Sequence, residues 1–191
     1  MKDRLLMIVF ILVLGSILTI SLIAVDNYTA PIIKKNNEIK IKKSVLDVFG
    51  IPYSKDTIEK VFSDTVEIRK IQNKTFYILK NGDIAFEIKG SGVWGPIQAM
   101  IALKSDKKTI NAMVIIYQEE TPGLGGRIAD KSFLSRFKGK KVVPELILVA
   151  HGKAKGVNEV NAITGATLSS KALQKIINTN IREYLPLIGR M

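Results

Sequence analysis

The chain has 191 residues, with 29 Lys and Arg against 17 Asp and Glu, a formal charge of +12, one His and no Cys. That length suits one ordinary domain plus an accessory segment. Without Cys there is no disulfide, no thiolate nucleophile and no thiolate-held zinc or iron–sulfur cluster. His151 alone cannot form a multi-histidine metal site within the chain, so no metal site is expected and any redox work falls to an organic cofactor.

Residues 5–25 read LLMIVFILVLGSILTISLIAV without a charge. About 20 apolar residues cross the hydrocarbon core as a helix, and this run lacks the polar face of a helix packed on a soluble domain. A signal peptide has an apolar core of about 7–15 residues followed by small residues at a cleavage site. Here the run is longer and ends Leu22-Ile23-Ala24-Val25-Asp26, so an uncleaved anchor is expected. Lys2 and Arg4 precede it, and Lys34, Lys35, Lys40, Lys42 and Lys43 come after it. The count disfavours export of the main domain, but long domains translocate largely regardless of charge. Charge alone leaves the orientation open.

Beyond the anchor, Pro31 suits the first turn of a helix. Ile32, Ile33, Ile39, Val45, Leu46 and Phe49 continue an amphipathic pattern that closes near Gly50 and Pro52. A short helix is expected over 54–62. From Thr65 the period changes to alternation, in TVEIRKI, TFYILK and IAFEIKG, with Asn81-Gly82 marking a hairpin turn. The runs PIQAMIALK and TINAMVIIYQ come next, with no helical pattern between them, so the sheet should be largely antiparallel. A helix is expected over 127–137, a strand over 144–149 and a closing helix over 168–184. The expected architecture is α+β: a largely antiparallel sheet with flanking helices, on a single N-terminal transmembrane helix. Its parts are an anchor over 1–25, a helical stalk and entry helices over 26–64, and the α+β domain over 65–191.

The basic residues are scattered and aromatics make up only 7% of the chain, which poorly supplies a base-stacking platform. A basic, solvated surface is the plain reading, and no nucleic-acid partner is expected.

Two loops stand apart. Glu119-Glu120-Thr121-Pro122-Gly123-Leu124-Gly125-Gly126 follows a strand and precedes a helix. Its glycines let backbone approach a ligand closely. It is not a dinucleotide fingerprint, because Ile128 stands where a third Gly or Ala belongs. The second loop, residues 161–170, reads NAITGATLSS at the mouth of the last helix. Thr164 or Thr167 could cap that helix. The same geometry stabilises a phosphate, since a helix N-terminus presents unpaired N–H groups and partial positive charge. Gly165 and Ala166 keep side chains out of the way, and Thr164, Thr167, Ser169 and Ser170 offer hydroxyls.

Taken together, these loops resemble a known family. Thr164-Gly165-Ala166-Thr167 resembles the S/T-G-A-T flavinylation motif, Glu120 to Gly125 resembles its ETPGLG segment, and Gly92-Val93-Trp94-Gly95 resembles a third recurrent segment. The family is that of the FMN-binding subunits of Rnf-type ferredoxin:NAD⁺ oxidoreductases (the G subunit) and Na⁺-translocating NADH:quinone oxidoreductases (the C subunit). The short chain and single anchor look more like the Rnf member. The resemblance implies FMN bound covalently to Thr167 by a separate flavin transferase that uses FAD and Mg²⁺. Thr164, Gly165, Ala166, Leu168 and Ser169 would line the phosphate and ribityl chain, and Glu120, Thr121, Gly123, Leu124 and Gly125 would wall the isoalloxazine. It also implies a single-pass protein of the cell (inner) membrane, its FMN domain on the extracytoplasmic side. Its partners would be other membrane subunits of an Rnf-type complex, and it would be an electron-transfer subunit rather than a self-sufficient enzyme. Alternatives are a stand-alone membrane-anchored flavinylated carrier and a non-enzymatic basic module that binds polyanions. One departure is Asn161, where the motif usually has Asp. Trp94 reads as a packing residue beside glycines and His151 as a surface loop residue outside the site.

Overall fold

The computed structural model describes residues 2–189. Helix α1 spans Lys2–Phe49, 48 residues with Pro31 inside it. Pro31, expected from the sequence in the first turn of a helix beyond the anchor, instead lies inside α1, which runs through it. Proline forfeits one hydrogen bond and crowds the preceding turn, a local cost that strong helix sequence on both sides carries. Within the apolar stretch, Ser16, Thr19 and Ser21 each donate to the carbonyl four residues back, at 2.8 Å. Their hydroxyls are thus satisfied without water. Among the described residues α1 is the one helix long and apolar enough to cross a membrane. The chain divides into two compact units between Lys40 and Ile41, inside α1. The helix closes at Gly50, whose φ of +70° suits glycine, with Ile51 N–H donating to Leu46 O at 3.0 Å.

Helix α2 (Ile58–Thr65) leads into five strands: β1 (Val66–Ile71), β2 (Lys74–Leu79), β3 (Ile84–Ser91), β4 (Pro96–Leu103) and β5 (Ile110–Tyr117). They form one antiparallel sheet in chain order. The β1–β2 turn is Gln72-Asn73, both at positive φ, the backbone that matches strand twist in a two-residue hairpin. At the β2–β3 turn Gly82 takes φ +87°, and Asn81 Oδ1 accepts the Asp83 N–H at 3.0 Å. Alternation places Phe76, Phe86, Ile101 and Met113 side by side on one face, and all four are buried in the main core.

The segment expected as one helix over 127–137 is instead three short turns: a 3₁₀ turn Gly125–Ala129, α3 (Lys131–Leu134) and a 3₁₀ turn Ser135–Phe137. Asp130, in extended backbone, separates the first two. The apolar anchors Ile128, Phe133 and Phe137 are buried, so packing rather than helix continuity sets this path. The strand expected over 144–149 is only β6 (Ile147–Val149), which pairs in parallel with a strand the sequence did not announce, β7 (Glu159–Asn161). Helix α4 (Thr167–Ile188) covers the main core and supplies side-chain amides to backbone groups of β3, of β6 and of the residue before β6. Asn178 Oδ1 accepts the Leu146 N–H at 2.9 Å, and Gln174 Oε1 accepts the Leu148 N–H at 2.7 Å. Asn180 Nδ2 donates to Lys89 O at 3.0 Å. Tyr184 of α4 stacks on Phe86 with ring centroids 4.6 Å apart. Buried backbone groups are thereby paired, and α4 is held to both sheets.

Candidate functional site

The mouth of α4 is reached from β7 through Ala162-Ile163-Thr164-Gly165-Ala166. Ala162, Ile163 and Ala166 are buried and root the loop in the core. Gly165 takes φ +82°, with open space where a side chain would stand, a conformation that disfavours any other residue. Ala166, not Thr164 or Thr167, occupies the N-cap, and no side chain caps the helix. The first N–H turned back into the helix is that of Ser170, donating to Ala166 O at 3.0 Å. By helix geometry the N–H groups of Thr167, Leu168 and Ser169 point outward without intrahelical acceptors.

The four hydroxyls here separate into two kinds. Ser170 is fully buried; it donates to Ala166 O at 2.9 Å and accepts the Ile163 N–H at 3.1 Å. Ser169 is buried and donates to Glu120 Oε2 at 2.5 Å. Thr164 and Thr167 are exposed, the latter on the first residue of α4.

The loop after β5 faces this mouth. Glu120 is 3% exposed. Its second oxygen, Oε1, accepts the Val93 N–H at 2.7 Å and the Trp94 N–H at 3.3 Å. Its carboxylate is turned inward, joining three segments, rather than facing outward as a wall. The glycines around it are required by space. A Cβ on Gly125 would lie 2.3 Å from Ser169 Oγ and 2.7 Å from Glu120 Oε2, and one on Gly92 would lie 2.3 Å from Glu120 Oε1. Gly123 takes φ +75° above open space. Thr121 O accepts the N–H groups of Leu124 and Gly126 at 3.2 and 2.9 Å, which folds the loop on itself. Thr121, Gly123 and Leu124 remain exposed.

The third segment is the β3–β4 turn, Gly92 to Gly95, closed by Gly92 N–H donating to Gly95 O at 2.8 Å. Trp94 does not pack inward; it is 74% exposed, and Leu124 and Leu168 are 52% and 69% exposed. A groove of about 510 Å³ runs along this turn, lined by Lys89, Ser91, Trp94, Pro96 and Gln98 among others. Neither the backbone of Val93 nor the groove was legible in the sequence; the flanking Gly92 and Gly95 were the available signal.

Positive charge borders the mouth. Arg127 Nη1 donates to Thr164 O at 3.5 Å, and Arg136 Nη1 donates to Asn161 O at 3.2 Å. Asn161 Oδ1 accepts the Ala154 N–H at 3.0 Å, an acceptor role a carboxylate would also fill. Beside the Glu120 loop, the hydrogen bond from Tyr117 to Glu119 holds the phenol pKa above its usual value. His151 is exposed in the connection between β6 and β7.

Residues 92–182 match the family of FMN-binding domains. The C subunit of the Na⁺-translocating NADH-quinone reductase of Vibrio vulnificus is 34% identical over 121 residues, covering 58% of this chain and 48% of the relative. The corresponding Neisseria meningitidis protein is 37% identical over 119 residues, 59% of this chain and 46% of the relative. The chain thus spans about half the length of the curated relatives it matches. Crystal structures of the C subunit from Parabacteroides distasonis and of Shewanella oneidensis NqrC superpose with TM-scores of 0.71 and 0.72, at 22% and 18% identity. They cover 82% and 83% of this chain, and 95% and 99% of theirs. At these identities the likeness is one of fold, and it extends to the five-stranded antiparallel sheet with its helices.

Proposed function

We propose that this chain is a membrane-anchored electron-transfer subunit that carries FMN through a phosphoester on Thr167, within an ion-translocating oxidoreductase complex of the Na⁺-translocating NADH-quinone reductase or Rnf kind. The carrying observation is the division of hydroxyls at the mouth of α4. Ser169 and Ser170 are committed to internal bonds, whereas Thr167 is exposed on the first helical residue. Outward N–H groups there favour a phosphate, and no atom lies within 4 Å of where a Cβ would stand on Gly165 or Gly123, which leaves both backbones open to a ligand.

FMN, when bound, supplies one- and two-electron redox chemistry. The residues of the chain hold and orient it. N–H groups of the first turn of α4 and the Arg127 guanidinium offset phosphate charge. Thr164, Gly165 and Ala166 keep the approach to Thr167 low, and Leu124 and Leu168 offer apolar surface to a ring system. Thr121, Gly123 and Gly125 shape the opposite side, with Glu120 and Ser169 behind them. Attachment joins Thr167 Oγ to the FMN phosphate of FAD as AMP leaves and the hydroxyl proton is released, a step assigned to a flavin transferase with Mg²⁺. Helix α1 supplies the anchor, and an extracytoplasmic FMN domain is the consistent placement, since covalent attachment retains a cofactor that would otherwise diffuse away.

The test is to express the full chain with a flavin transferase, denature it, and record intact mass and in-gel flavin fluorescence. A mass gain of FMN minus water, mapped to the peptide containing Thr167, supports the reading. An unmodified mass beside a labelled positive control overturns it.

A further inference from the structure

We infer that Glu120 is a positioning residue that sets Trp94 as the aromatic partner of a group carried on Thr167, an inference that rests on the proposed attachment there. The backbone N–H of Trp94 and the hydroxyl of Ser169 bind opposite oxygens of one buried carboxylate. The turn bearing Trp94 and the first turn of α4 are therefore bridged by a single side chain. Nothing bulkier than hydrogen fits at Gly92 or Gly125 without striking that bridge, so the glycines of both loops serve the carboxylate as much as a ligand.

Packing does not fix Trp94, which is 74% exposed. The turn beneath it is held by the Gly92–Gly95 hydrogen bond and by Glu120 Oε1, which takes two consecutive N–H groups. A buried site excludes the water that would compete for these hydrogen bonds. Bracing the backbone that carries an exposed indole has a clear use: a flat aromatic ligand on Thr167 would meet an indole whose point of attachment is already placed. Removing the carboxylate frees the turn without touching the attachment hydroxyl.

Trp94 is the chain's only tryptophan, so its emission reports this arrangement directly. The experiment uses the full chain in mild detergent after co-expression with a flavin transferase, with covalent flavin measured by mass and unlabelled Thr167→Ala as the reference. The wild type and Glu120→Gln, which retains an acceptor for the Val93 and Trp94 N–H groups, are expected to carry flavin and to lose most Trp94 emission by quenching. In Glu120→Ala the emission is read per covalent flavin measured by mass, and Trp94 emission of the labelled fraction is expected to recover to the Thr167→Ala level. Labelled Glu120→Ala with wild-type quenching overturns the inference.

Should Glu120→Ala not fold, Ser169→Ala carries the test, because it unhooks the carboxylate from α4 alone. Recovered emission supports the role, and unchanged quenching overturns it. Should the wild type take up no flavin, the attachment reading fails and Trp94 anisotropy in the unlabelled chain decides. A fall in Glu120→Ala upholds Glu120 as the brace of the turn, and an unchanged value removes it.

Discussion

Ser169 Oγ donates to Glu120 Oε2 at 2.5 Å across a sequence separation of 49 residues, with both side chains buried. This bond makes the loop after β5 and the mouth of α4 one unit. Ser169→Ala would leave a buried carboxylate oxygen without its donor, and the expected loss of stability is about 1–3 kcal/mol. The denaturant midpoint of the full chain in mild detergent measures it.

Attachment should depend on one hydroxyl. Thr167→Ala is expected to abolish covalent flavin while shifting stability by less than about 0.5 kcal/mol, as for other exposed positions without special contacts. Thr164→Ala is expected to retain covalent flavin. Intact mass of the denatured proteins, read beside a thermal melt of each, separates chemistry from folding.

Two glycines of one loop should respond differently to alanine. At Gly125 a methyl group meets Ser169 Oγ at 2.3 Å and Glu120 Oε2 at 2.7 Å, so Gly125→Ala is expected to cost about 1–3 kcal/mol through overpacking. At Gly123 the space is open and only the φ of +75° resists, for a cost of about 1 kcal/mol. Equal losses for the two would show that Glu120 and Ser169 give way easily.

Glu159 sets an acid limit on the approach to the attachment loop. Its Oε2 accepts the N–H groups of Lys155 and Gly156 at 2.8 and 2.9 Å, and these bonds hold its pKa below the usual glutamate value. A lowered folded-state pKa contributes stability that is present above the unfolded value, about pH 4.3, and lost as pH falls through the folded one. Glu159→Gln should remove this pH-dependent component. Unfolding midpoints recorded for both proteins from pH 6 downward are expected to converge in acid.

Asn161→Asp should fold as the wild type does, because the acceptor for the Ala154 N–H remains. Flavin incorporation equal to or above that of wild type is expected. A loss of incorporation would show that the neutral amide is itself what this loop needs.

The antiparallel sheet was legible because alternation and turn chemistry are local: Phe76 and Phe86 declare a face in their own strands, and Asn81-Gly82 declares the turn between them. The path from Gly125 to Phe137 was not. Its apolar spacing resembles a helix, yet Ile128, Phe133 and Phe137 reach the core through three separate turns. Strand β7 was invisible for a related reason. Three residues carry no period, and the strand exists because β6 lies parallel beside it.

The sequence by itself determined the apolar helix, the sheet, and the two loops whose glycines and hydroxyls invite a phosphate, since each depends on residues near one another in the chain. Only the tertiary structure decided which hydroxyl is free and which carboxylate is buried. Ser169 and Thr167 are two residues apart on the same helix mouth, and what distinguishes them is Glu120 arriving from the end of β5 to occupy one of them. It likewise left Trp94 outward, on a turn whose backbone is held by Glu120 and by the Gly92–Gly95 hydrogen bond. Hydrogen-bond partners and excluded volume are set by segments distant in sequence, and a linear pattern carries no record of which segments meet.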